Sequence, residues 1–175
     1  MTEVGPDEVE GGPGWVIGAD LRPRITDAEA FRTGMSGDPL VEIIAALWSG
    51  QPRQALDLLG IPSTARTRAL RADALAALGE TDAARAEYDA LVEEALGTAR
   101  EAVMRQHRGK VLLAAGDTEA AVADFTRAID LRKDADPMLR ASSEQALRVA
   151  RRCREGGRSD VESTPPSRHK RSPHA

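Results

Sequence analysis

Cysteine is nearly missing from this chain of 175 residues, with Cys153 standing alone. One thiol cannot close a disulfide within the chain and cannot build a cysteine-based metal site. Aromatic residues make up only 3%, so a core must be filled mainly by aliphatic side chains and alanine. Three lysines occur, Lys110, Lys133 and Lys170. No apolar run approaches the roughly 20 residues that span a bilayer. The opening MTEVGPDEVEGG is acidic and lacks both a basic start and an apolar stretch, so no secretory signal is read there. A net charge of −4 fits neither a strongly basic nucleic-acid binder nor a strongly acidic solvating chain. A soluble, cytoplasmic protein is expected.

Catalytic patterns are missing too. The histidines are His107, His169 and His174, and none stands at a His-x-x-x-His or Glu-x-x-His spacing on a helix. GGPGWVIG is glycine-rich but lacks Gly-Lys-Ser/Thr, so it reads as a flexible arm rather than a phosphate loop. No Gly-x-Ser-x-Gly elbow occurs. Cys153 neighbours Arg151, Arg152 and Arg154, which would favour its thiolate, but an unremarkable thiol near a helix end is the simpler account. Neither catalytic residues, nor a metal, nor a cofactor is expected.

What the chain has is alanine and leucine, which lose little on entering a helix. Arginine far outnumbers lysine among many alanines, a composition associated with GC-rich bacterial genomes. Glycine and proline crowd the first stretch, so residues 1–25 are expected to form a flexible arm with one apolar patch, GWVIGADL. Thr26 and Glu29 form a capping box for a short helix ending near Gly34. Asp38-Pro39 starts LVEIIAALW, which breaks at Ser49-Gly50, and RQALDLL follows until Gly60 and Pro62 stop it. Ser63 or Thr64 caps a helix to Gly79, a longer partner runs to about Gly97, and another helix spans about Ala99 to Ala115. Its partner follows Gly116-Asp117. Asp136-Pro137 starts a last helix, ended by Gly156-Gly157. Residues 156–175 are expected to be disordered, leaving 26–155 as the helical domain.

The breaks align. Gly50, Ala55 and Leu59, then Gly79, Ala84 and Tyr88, then Gly116, Ala121 and Phe125 share the same offsets of five and nine residues. Three matches at fixed offsets indicate an internal repeat. The glycine turns the chain, the alanine lets the second helix approach the first, and the large residue one turn later fills the gap. A hairpin that buries one face must stack on neighbours.

This pattern resembles the tetratricopeptide repeat. The third copy, about residues 102–135, carries Gly109, Leu112, Gly116-Asp117, Ala121, Phe125 and Ala128; the second, about 65–98, carries Ala72, Leu75, Gly79, Ala84 and Tyr88. The first, about 38–60, keeps Gly50, Ala55 and Leu59 with a shortened second helix. The second copy departs at Leu91, where the family prefers alanine, and Pro39, Arg68 and Arg105 replace the family's large residue at the fourth position. The resemblance covers about two thirds of the chain. It implies an all-α fold, a right-handed α-solenoid of stacked antiparallel helix hairpins, closed by a capping helix with Leu139, Ala146, Leu147 and Ala150 on its inner face.

The resemblance also implies function: a non-enzymatic scaffold or adaptor for an unidentified protein or peptide. The first helix of each hairpin would line a concave groove, here Val41, Ile44 and Trp48, then Arg66, Asp73 and Ala77, then Gln106, Lys110 and Leu113. The chaperone-tail variant of the family needs lysine and asparagine where this chain has Leu40 and Ile44, so capture of a C-terminal carboxylate in that manner is not implied. LVEIIAALW is apolar nearly all round, so Ile44 and Trp48 serve equally well as core beneath the 26–34 helix. The apolar WVIGADL, preceded by Asp7, Glu8 and Glu10, resembles a ligand for a groove with cations at Arg66 and Lys110. Docking there, permanent packing and a free arm all remain open. An alternative function places nucleic acid or another anionic surface on the tail RHKRSPHA, but Arg168, Lys170 and Arg171 are few for strong salt-dependent binding. No membrane partner is expected.

Overall fold

The computed structural model describes residues 7–134 and 137–162, without the side chains of 157–162. Three strands come first, β1 (Val9–Gly12), β2 (Trp15–Ile17) and β3 (Pro23–Ile25). Eight helices follow: α1 (Ala28–Gly34), α2 (Val41–Trp48), α3 (Pro52–Leu59), α4 (Ala65–Ala77), α5 (Thr81–Ala95), α6 (Glu101–Ala114), α7 (Thr118–Leu131) and α8 (Pro137–Glu162). From α2 onward each helix packs on the next, giving an all-α solenoid of three hairpins with α8 as the last layer.

The repeat is visible atom by atom at its turns. Gly50, Gly79 and Gly116 take φ of 76°, 86° and 84°, a left-handed conformation that costs glycine nothing. In each turn the residue after the glycine donates back into the first helix. Gln51 N bonds Ala46 O, Glu80 N bonds Leu75 O and Asp117 N bonds Leu112 O, each at 2.9 Å. This closes the last carbonyls of each first helix. Ala55, Ala84 and Ala121 are all buried, as are Tyr88 and Phe125. Gly109 faces Phe125 so closely that an added Cβ would lie 2.6 Å from the ring edge.

Helix starts follow local chemistry. Thr64 caps α4 with a reciprocal box, its hydroxyl accepting from Thr67 N while Thr67 Oγ1 accepts from Thr64 N. The cap of α1 is Asp27 rather than Thr26, because the Asp27 carboxylate reaches both Glu29 N and Ala30 N at 3.0 Å. Asp38 accepts from Leu40 N at 2.9 Å one turn before α2, which begins at Val41 rather than at Pro39.

Two expectations are corrected. The stretch read as a flexible arm forms a three-stranded antiparallel meander, with Val9 opposite Ile17, Val16 opposite Arg24 and Ile17 opposite Pro23. Glycine at position 11 leaves room for the Trp15 indole, which a Cβ there would strike at 2.1 Å. The last helix does not stop at Gly156-Gly157 but continues to Glu162, so it enters the segment read as a disordered tail. A Cβ at Gly156 would meet nothing within 4 Å, so that glycine serves no close approach. The basic tail RHKRSPHA lies outside the described residues.

Candidate functional site

The first helices of the hairpins, α2, α4 and α6, carry the residues expected to line a groove. Ile44 is 4% exposed and belongs to an apolar cluster with Phe31 and Ala45, against which Val41, Trp48 and Leu70 pack. Arg66 is exposed at the start of α4 and bonds Asp38. Ala77 is exposed at its end. Gln106 is buried and held by α8: its amide donates to Ser142 O at 3.2 Å and its carbonyl accepts from Ser143 Oγ at 2.7 Å. Leu113 is half-buried beside the cluster of Leu112, Phe125 and Leu147.

Asp73 and Lys110 come together in a polar group between the second and third hairpins. Tyr88 Oη lies 2.6 Å from one Asp73 oxygen and His107 Nδ1 lies 3.1 Å from the other. The Tyr88 and His107 rings stack, with centroids 5.8 Å apart. Burial pushes the Asp73 carboxyl up, but the charge and hydrogen bond of His107, the Tyr88 hydroxyl and the Lys110 charge together hold it below its usual value. Burial pushes the Tyr88 hydroxyl well above its ordinary range, reinforced by the Asp73 charge. Burial lowers the Lys110 ammonium despite the opposing pull of Asp73 and Asp20. Asp73 on α4 and His107 and Lys110 on α6 are each part-buried, so the group is only partly open to solvent.

The N-terminal meander lies over these helices. Trp15 stacks on Trp48 of α2 with centroids 4.5 Å apart. Ile25 packs on the same cluster as Leu70 of α4. Leu21 is 4% exposed and joins Leu112 of α6 and Ala146, Leu147 and Ala150 of α8. The Gln145 amide of α8 donates to Gly18 O at 3.0 Å, Ile17 O at 3.3 Å and Asp7 O at 2.7 Å. Glu8 accepts from Arg24 at 2.7 Å, Asp7 lies 3.7 Å from Arg152, and Asp20 is the meander acid whose charge reaches Lys110. Leu21, Asp20 and Gln145 were not legible as site residues, since their roles depend on where the meander docks.

Elsewhere charged groups tie neighbouring helices. Arg108 grips buried Asp124 with Nε at 2.6 Å and Nη2 at 2.8 Å, and Arg105 adds a bond of 3.0 Å. Arg68 joins Glu87 at 2.6 Å and Glu94 at 2.8 Å. Among the described residues no three His, Cys, Asp or Glu side chains stand together as a metal site, and no helix is long and apolar enough to cross a membrane.

Residues 102–134, the α6–α7 hairpin, match the family model described as Tetratricopeptide repeat. No curated protein and no solved structure matches the chain.

Proposed function

We propose that this chain, whose α6–α7 hairpin matches the Tetratricopeptide repeat model, acts as a non-enzymatic adaptor, binding a protein segment along the concave side of its first helices. Repeats of this family generally mediate protein–protein interaction. The observation that carries the reading is the part-buried polar group of Asp73 on α4 with His107 and Lys110 on α6, all on first helices. Charged groups on such a face select a segment of complementary charge. We read the chain as non-enzymatic, and a cytoplasmic setting suits such an adaptor.

Selection of short peptides from a random display library on the full chain tests this. Peptides are expected whose affinity falls at least tenfold with Arg66→Glu or Ala77→Arg. Ala77 is exposed, so Ala77→Arg should leave the melting temperature in place, whereas Arg66→Glu also loses the ion pair to Asp38. Selected peptides that bind all variants alike would remove the groove from the account.

A further inference from the structure

The meander behaves as cargo on the repeat rather than as one of its layers. It touches α2, α4, α6 and α8 through differing contacts, among them an indole on Trp48, an isoleucine beside Leu70, a leucine beside Leu112 and main-chain carbonyls on Gln145. Its strands are only three or four residues long, and so small a sheet has no independent stability. It holds its shape by docking.

The turn at its tip is the most specific part. Gly18 N bonds Arg22 O at 2.9 Å and Leu21 N bonds Gly18 O at 3.0 Å, which forces Leu21 to φ 64°. A leucine in the left-handed region is an outlier, yet this one is almost fully buried among Leu112, Ala146 and Leu147. Strain of that kind persists where surrounding contacts over-determine it, and it clusters at ligand clamps. Next to it, the exposed Asp20 holds the turn by accepting from Arg22 N at 3.0 Å. Gln145 reads only main-chain carbonyls, which any segment of suitable shape can offer. The fit is also incomplete. Gln145 Oε1 is buried without a partner, and an open apolar cleft of about 350 Å³ separates Trp15 and Ile17 from Met138 and Leu139 of α8.

We propose that the turn Gly18–Arg22 is a resident self-ligand of a peptide subsite formed by Leu112, Gln145 and Leu147, and that the partner displacing it presents a leucine at the tip of a tight turn. This rests on the adaptor reading and names the chemistry of its ligand. The apolar pocket takes the leucine, and Gln145 takes the main-chain carbonyls that precede it. Because the occupant is tethered, an incoming segment competes with a high local concentration and must bind the open state better than the tether does.

The probe is a synthetic peptide of residues 8–25, EVEGGPGWVIGADLRPRI, titrated into the full chain and into full-chain Leu21→Ser, which weakens the resident turn. The Leu21→Ser chain should bind the peptide at least tenfold more tightly than the unaltered chain. A peptide carrying Leu21→Ser should lose that gain. Equal or no binding to both chains, with the helical circular dichroism of Leu21→Ser intact, would overturn the proposal. Should Leu21→Ser unfold, hydrogen exchange on the unaltered chain decides. Amides of Trp15–Ile17 should exchange through an opening at least a hundredfold more populated than the one that releases Tyr88 and Phe125, and exchange only by global unfolding would refute a displaceable meander. If library-selected peptides bind while Trp15–Ile17 stay protected, the self-ligand fails and the adaptor reading stands. If the 8–25 peptide binds Leu21→Ser but no library peptide competes with it, the self-ligand stands and the adaptor reading fails.

Discussion

The indole of Trp15 rests 4.5 Å, centroid to centroid, from the indole of Trp48, tilted by 39°. This pair joins the N-terminal meander to the first hairpin, and Phe31 of α1 closes on Trp48 from another side at 5.6 Å. The chain has only these two tryptophans, so its fluorescence reports directly on the contact. Trp15→Ala should remove about 2 kcal/mol of docking through lost burial and leave Trp48 wetter. Its emission should move to the red, with the helical signal retained. Unchanged emission would mean that Trp48 is shielded without the meander.

Two helical glycines should respond to alanine with opposite signs. At an unconstrained helix position the change gains up to about 1 kcal/mol from propensity. Gly156 is such a position, with open space where its Cβ would go, so Gly156→Ala should raise the melting temperature. At Gly109 the Cβ would strike Phe125 at 2.6 Å. Gly109→Ala should therefore destabilise, and Gly109→Leu should cost about 3 kcal/mol by overpacking. Thermal unfolding of the three variants reads the difference. A stabilised Gly109→Ala would contradict the close approach of α6 and α7.

Acid should loosen the third hairpin through Glu101. Its carboxylate accepts from Gly97 N at 2.9 Å and from Arg105 Nε at 2.8 Å. The Gly97 amide first, and the Arg105 guanidinium next, hold its pKa down at about 2. A carboxylate depressed in the folded state contributes stability that is complete above its unfolded value of about 4.3 and is lost as pH falls toward the folded value. Asp38 and Asp73 are depressed as well, so several acids share the effect. Urea midpoints between about pH 6 and pH 2 should fall for the unaltered chain, and Glu101→Gln should flatten part of that slope. Parallel curves would show that Glu101 is not among the acids responsible.

Removing the Tyr88 hydroxyl should weaken the polar group between hairpins. Tyr88 is fully buried, and its Oη stands 2.6 Å from Asp73 and 3.0 Å from Ala69 O. Tyr88→Phe leaves the half-buried Asp73 with His107 as its remaining hydrogen-bond partner, at a cost of about 1–2 kcal/mol. Chemical denaturation measures it, and a loss below about 0.3 kcal/mol would show that water replaces the hydroxyl without penalty.

The hairpins could be read from sequence because their signals are local. Gly79, Ala84 and Tyr88 lie within ten residues, and turn geometry, close approach and gap filling follow from that spacing. The meander could not, because strands of three residues have no measurable period and their pairing is decided by distant partners. WVIGADL was recognisable as apolar and ligand-like, but its form and its neighbours, Leu112 and Gln145, come from docking. Gly156-Gly157 looked like a stop signal, yet two glycines only lower helix stability by about 1 kcal/mol each, and α8 runs through them. Trp48 and Ile44 were ambiguous between groove and core because α2 is contacted on several sides. The structure buries Ile44 and gives Trp48 to Phe31 and Trp15.

The central claim, that a protein segment binds along the first helices of the repeat, is tested most directly by mapping amide chemical shifts of the full chain as a library-selected peptide is added. The account predicts changes concentrated in α4, α6, α8 and residues 9–25, including Lys110 and Gln145, with α5 and α7 largely unmoved. Changes confined to α3, α5 and α7 would contradict it.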